Sequence, residues 1–117
     1  MIIEKIKLII EENPVALATV NEDGSPRVIV VAYVKVKDGK VIITANYMKS
    51  TLENIKRDSR VSLGVWNNKM EGYRIDGLAE FFDNGEWYDF VTSMEENKEE
   101  PCLGALVVSI KEVVKLA

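Results

Sequence analysis

The sequence predicts an α+β fold, mainly β, with six antiparallel strands and short flanking helices. Three observations lead there. Runs of valine, isoleucine and other apolar residues recur along the 117 residues, separated by clusters of Asn, Asp, Gly and Pro. Two of those separators, Asn21 to Pro26 and Asp38-Gly39, are hairpin signals. Helical signals occur only at the start, the middle and the penultimate position of the chain.

Each element has a local reason. Ile2, Ile6 and Ile9 with Ile3 and Ile10 recur at helical spacing between charged residues, and Asn13-Pro14 stops that helix. Val15 to Val20 reads as a buried strand entering a hairpin. The return strand spans Arg27 to Val36, turns at Asp38-Gly39, and pairs with Val41 to Ala45 as the third strand. Ser50-Thr51-Leu52-Glu53 carries a capping-box signature, a hydroxyl three residues before Glu, and opens a short helix. Val61, Leu63 and Val65 alternate with Ser62, Gly64 and Trp66 in a fourth strand. In the fifth, Arg74, Asp76 and Glu80 alternate with Ile75, Gly77, Ala79 and Phe81, so one face should be buried. Trp87, Phe90, Val91 and Met94 mark a further amphipathic helix, Glu95 to Glu100 a solvated helix end and loop, and Ala105 to about Leu116 the sixth strand. Closure into a barrel would remove exposed edges, although periodicity alone does not separate a barrel from an open sheet.

Composition narrows the chemistry. Fifteen Lys and Arg against nineteen Asp and Glu leave a net charge of -4, which offers no overall attraction for nucleic acid or an anionic membrane. The apolar start Met1-Ile2-Ile3 is interrupted by Glu4, Lys5 and Lys7, so the expectation is a soluble, unprocessed, single-domain protein. One cysteine, Cys102, forms no intrachain disulfide, which fits a cytoplasmic protein. The absence of histidine removes the imidazole base, the usual zinc and haem ligands and the common nucleophilic triads. Any catalysis would then rest on a cofactor.

The segment Thr44 to Asn54 runs from a strand end through a polar loop, Asn46 to Lys49, into a helix start. Free N–H groups, the positive end of the helix dipole, the Ser50 and Thr51 hydroxyls and the Lys49 ammonium are the donors a phosphate needs. The same residues also suit a plain helix cap. Arg27 and Arg74 are further cations on alternating strands, where a solvent-facing role is commoner.

The segments Val15 to Gly24, Tyr33 to Gly39 and Asn54 to Val61 resemble the pyridoxamine-phosphate-oxidase-like FMN-binding split barrels, and among these the small FMN-binding proteins of sulfate-reducing bacteria. The resemblance follows the order of elements over most of the chain. It implies a six-stranded antiparallel split β-barrel that binds flavin mononucleotide. It assigns the flavin phosphate to Lys49, Ser50, Thr51 and Asn54, the pyrimidine edge of the ring to Thr44 and Ala45, and the ring face to Val28, Ile29, Val30 and Val31, with Asn46 a further cofactor-binding residue. The basic residue that relatives place just before the threonine is here Ser50, with Lys49 one position earlier. Trp66 and Tyr33 are candidate stacking residues. The resemblance further implies a homodimer with flavin sites at the subunit interface, completed by the partner's segments around Trp66 and Val113 to Ala117.

Three functions follow. The first is a flavoprotein that carries electrons or catalyses a simple FMN-dependent redox reaction with an unspecified redox partner or small substrate. The second is a pyridoxamine or pyridoxine 5'-phosphate oxidase, disfavoured by the missing Arg-rich C-terminal segment of the longer oxidases. The third is a split barrel that binds another ligand, such as a deazaflavin or haem.

Overall fold

The structure is a computed structural model that describes residues 2–117. Helix α1 (Glu4–Glu12) buries Ile6, Ile9 and Ile10, the stripe its spacing predicts. It ends where the Asn13 side-chain amide donates to the Ile9 carbonyl at 3.0 Å and Pro14 can supply no helical donor.

Seven strands follow, one more than the sequence suggests: β1 (Val15–Val20), β2 (Pro26–Val31), β3 (Val34–Lys37), β4 (Lys40–Ala45), β5 (Arg60–Trp66), β6 (Gly72–Phe82) and β7 (Gly104–Lys115). The extra strand arises because Arg27 to Val36 is not continuous. β2 pairs with β1 and β3 with β4, and these pairs lie at opposite edges of one antiparallel sheet ordered β2-β1-β5-β6-β7-β4-β3. The chain must therefore leave one edge and join the other, and it does so at Ala32-Tyr33. Tyr33 takes a left-handed backbone, φ 54°, and its carbonyl accepts the Thr44 N–H at 3.4 Å and the Thr44 hydroxyl at 3.3 Å. The Asp38-Gly39 turn has the positive φ values, 53° and 73°, that a tight hairpin needs.

The sheet curls into a half-barrel. Its concave face gathers Val15, Leu17, Ile43, Leu63, Ile75 and Leu106 against α1 and against Leu52 and Ile55 of α2 (Lys49–Arg57). A smaller apolar cluster on the other face joins Ile42, Ala105 and Val107 to Val91 of α3 (Gly85–Thr92) and to Met94. Met94 lies just beyond α3, ahead of a 3-10 turn at Glu95–Asn97 that buries Asn97. The curl tightens at a bulge: Asp76 faces Glu112 but Gly77 faces Ile110, leaving Lys111 unpaired. Only glycine fits at position 77, since a Cβ there would lie 2.3 Å from the Ser109 carbonyl oxygen. Among the described residues, no helix is long and apolar enough to cross a membrane.

Candidate functional site

β4 and α2 meet at Asn46–Met48. The helix begins one residue before the expected capping box: Met48 is the N-cap residue, no side chain caps it, and the first donor bonded back to it is the Leu52 N–H, at 2.9 Å from the Met48 carbonyl. Ser50 and Thr51 thus lie inside the first turn and do not cap it, a correction to the sequence reading. The N–H groups of Lys49, Ser50 and Thr51 have no intrahelical acceptor. Beneath them Thr51 is buried, 1% exposed, and among the described residues its hydroxyl is the buried side-chain polar atom without a hydrogen-bond partner. A buried, unpartnered hydroxyl costs about 1–3 kcal/mol. Such a group needs an explanation.

A cleft of about 390 Å³ opens beside this helix start, walled by Arg27 and Ile29 from β2, by Lys49, Ser50 and Thr51, and by Leu103. It shares Ile29, Asn46, Tyr47 and Met48 with a more apolar cavity of about 260 Å³, whose other walls include Val30, Val31, Tyr33, Thr44 and Glu100. Together they form a groove between edge strand β2 and the β4-α2 junction. Its two ends differ in charge. Arg27 and Lys49 make no ion pair among the described residues, so the helix end carries free positive charge. At the apolar end, Glu100 accepts the Tyr47 hydroxyl at 2.9 Å, and that hydrogen bond raises the Tyr47 phenol above its ordinary pKa.

The structure brings Ile29, Val30, Val31, Thr44, Asn46, Lys49, Ser50 and Thr51 to this groove and leaves four other predicted residues outside its walls. Val28 is exposed on β2, and Ala45 is wholly buried behind the groove. Asn54 points to the other end of α2, where its amide donates to the Thr19 hydroxyl and Asn21 and its carbonyl oxygen accepts from Arg57. Trp66, at the end of β5, pairs with Gly72, whose carbonyl accepts the Leu116 N–H at 2.8 Å. Trp66 and the C-terminal segment therefore stand together, away from this chain's own groove. Asn46 lines both cavities, yet its amide already donates to Asn97 at 2.7 Å and to the Pro101 carbonyl at 2.6 Å. It fastens the segment before β7 to the groove rim.

Sequence reasoning left out Tyr47, Met48, Glu100 and Leu103 and rated Arg27 as a solvent-facing residue. Tyr47 and Met48 lie within the very segment singled out, and Arg27 directly precedes Val28 to Val31 on β2, so local signals existed for these three. Glu100 and Leu103 arrive from the α3-β7 connection, and no short-range pattern announces them. Cys102 contacts the Gly104 carbonyl, and burial raises its thiol pKa, which does not make a reactive thiolate.

Comparison with known proteins places this geometry. An uncharacterised protein of Methanocaldococcus jannaschii is 32% identical over 112 residues, covering 92% of this chain and 75% of that one. Among solved structures, the HupZ protein of Group A Streptococcus superposes with a TM-score of 0.90 at 20% identity, over 99% of this chain and 94% of that one. An FMN-binding protein from Syntrophomonas wolfei superposes with a TM-score of 0.81 at 19% identity, over 97% of this chain and 85% of that one. The profile of the pyridoxamine 5'-phosphate oxidase family matches residues 2–115. With that match and the curled antiparallel sheet, this chain belongs to the pyridoxamine 5'-phosphate oxidase family of split β-barrels.

Proposed function

We propose that this chain is an FMN-binding flavoprotein, serving as an electron carrier or a simple FMN-dependent oxidoreductase. The observation that carries the reading is the Thr51 hydroxyl at the uncapped start of α2, unpartnered among the described residues and flanked by Arg27 and Lys49, which make no ion pair among them. A phosphate monoester matches those groups. It would accept from the N–H groups of the first helical turn and from the Ser50 and Thr51 hydroxyls, while Arg27 and Lys49 neutralise its charge. Asn54 takes no part, since its hydrogen bonds are occupied at the far end of the helix.

The apolar cavity suits a flat ring. Ile29, Val30 and Val31 offer one wall, and Thr44 and Asn46, at the end of β4, would face the polar edge of the ring. Bound flavin would supply one- or two-electron transfer, and the chain's own task is to hold, orient and partly shield it. The absence of histidine fits a site whose side chains bind and do not transfer protons. Membership of the family and its FMN-binding structural relative support the same cofactor. The test is to purify the protein without added cofactor, release any chromophore and weigh it. FMN is expected; a deazaflavin, haem or no chromophore with failure to take up added FMN would defeat the reading.

The site is proposed to be completed in a homodimer. Val28 and Val30 are 66% and 70% exposed on an edge strand that also walls the groove, an exposure that a second subunit would cover. Because a two-fold contact is isologous, each groove would receive the same residues from its partner. Sedimentation should give a dimer whose melting temperature rises with both protein and FMN concentration. A monomer that retains stoichiometric FMN would refute it.

A further inference from the structure

Along the walls of the apolar cavity, among the described residues, one side chain carries a formal charge, the carboxylate of Glu100. Two hydrogen bonds set it there. The Tyr47 hydroxyl donates to Glu100 Oε2 at 2.9 Å, and the Asn46 amide grips the next residue through the Pro101 carbonyl at 2.6 Å. Glu95 and Glu96 of the same segment pair with Lys98 and Lys35, but Glu100 makes no ion pair among the described residues. The cations Arg27 and Lys49 wall the adjoining cleft instead. The cavity proposed for the ring thus has a negative wall with no cation of its own.

A flavin ring changes charge on reduction, and the FMN phosphate does not. The oxidised ring is neutral; two electrons and one proton leave it with one negative charge, the reduced form that predominates in mildly alkaline water. Arg27 and Lys49, at the proposed phosphate, would hold both forms alike, whereas a carboxylate at the ring cavity opposes the reduced one. We infer that Glu100 makes this chain bind oxidised FMN more tightly than reduced FMN, so that the bound flavin has a lower reduction potential than free FMN. The inference rests on reading the two cavities as the FMN site. It also narrows the redox partner by class: the donor that reduces this flavin must be a stronger reductant than free FMN requires. Glu100 is exposed to water, which screens its charge. The expected scale is therefore about tenfold in the ratio of the two affinities, or about 30 mV for a two-electron couple.

The test is an anaerobic reductive titration of FMN-loaded protein with dithionite in mildly alkaline, low-salt buffer, beside a reference dye and free FMN. Visible absorbance reads the potential. The bound flavin should lie about 30 mV below free FMN, a tenfold preference for the oxidised form. Glu100→Gln, whose amide oxygen can still accept the Tyr47 hydroxyl, should abolish that lowering, and Glu100→Asp, which keeps the charge, should preserve most of it. Glu12→Gln removes the same net charge from the exposed face of α1 and should leave the potential as it was. Added salt should shrink the difference between wild type and Glu100→Gln, which a purely structural role for Glu100 does not predict. A wild-type potential at or above that of free FMN, a Glu100→Gln potential equal to wild type, or an equal shift in Glu12→Gln would overturn the inference. Loading is read first, from the absorbance of the oxidised samples. A chain that takes up no FMN defeats the flavin reading and this inference with it, whereas one that loads FMN and binds both redox forms equally defeats only this inference.

Discussion

The two ends of α2 treat their polar groups in opposite ways. At the C-terminal end, Asn54 bridges Thr19, Asn21 and Arg57, Arg57 also donates to the Val20 carbonyl at 2.9 Å, and Asp58 accepts three bonds from Arg60. At the N-terminal end, among the described residues, no side chain caps the helix, the Thr51 hydroxyl is buried without a partner, and Arg27 and Lys49 make no ion pair. Both ends belong to one nine-residue helix in one fold. Completed hydrogen bonding marks the end that holds the structure together, and deficient hydrogen bonding marks the end where the proposed phosphate would bind.

The largest test removes the ligand's phosphate. If the N-terminal end is the site, riboflavin should bind at least about a hundredfold more weakly than FMN, since several charge-assisted hydrogen bonds of about 1.5–3 kcal/mol each are lost. Parallel titrations of apoprotein measure this, and equal affinities would erase the distinction between the ends. Next in size is Asn54→Ala, which strands Thr19, Asn21 and Arg57 at the satisfied end. It should lower folding stability by about 2 kcal/mol in denaturant unfolding, with FMN affinity of the folded protein unchanged. A selective loss of FMN affinity would move Asn54 back into the site.

Thr51→Val sharpens the contrast from the other side. The isosteric change deletes an unpartnered hydroxyl, so the apoprotein should melt at the same temperature or higher, while FMN binding weakens by about 1.5 kcal/mol. A capping threonine would behave otherwise, with a stability loss of about 1 kcal/mol and unaltered FMN binding.

The same contrast explains what the sequence could disclose. The concave core was legible because Val15, Leu17, Leu63 and Ile75 alternate at strand period and Ile6, Ile9 and Ile10 recur at helical period, both consequences of burying one face. The seventh strand was hidden. Nothing local in Val28 to Val36 says that its halves pair with opposite edges of the sheet, which is a property of closure. Lys49, Ser50 and Thr51 were legible as a cluster of donors at a helix start, and the structure places all three on the wall of one cleft. Asn54 was misleading for the same reason, since a residue near that segment was assigned its role when one helical turn carries it to another network. Glu100 was invisible, being brought to Tyr47 from 53 positions away.

Acid separates the two ends by the pH at which each fails, and this is the smallest effect. At the C-terminal end, the Arg60 side chain and then its backbone N–H hydrogen-bond the Asp58 carboxylate and hold its pKa down to about 2, below the value of about 3.9 usual in an unfolded chain. The folded state therefore binds this proton less readily than the unfolded state. Its contribution to stability is present above about pH 4 and is lost as pH falls through about 2. The pair is solvent-exposed, so the change is modest and weakens with salt. Asp58→Asn should flatten that limb of the acid-unfolding profile and leave the slope near neutrality as it was. At the N-terminal end, on the proposed reading, the titrating group would belong to the ligand, a phosphate monoester with a second pKa of about 6. FMN affinity should accordingly decline between about pH 7 and pH 5, where the Asp58 pair is still intact, and riboflavin affinity should not. A decline shared by both ligands in that range would place the pH dependence in the protein and break the assignment of the phosphate to Arg27, Lys49 and Thr51.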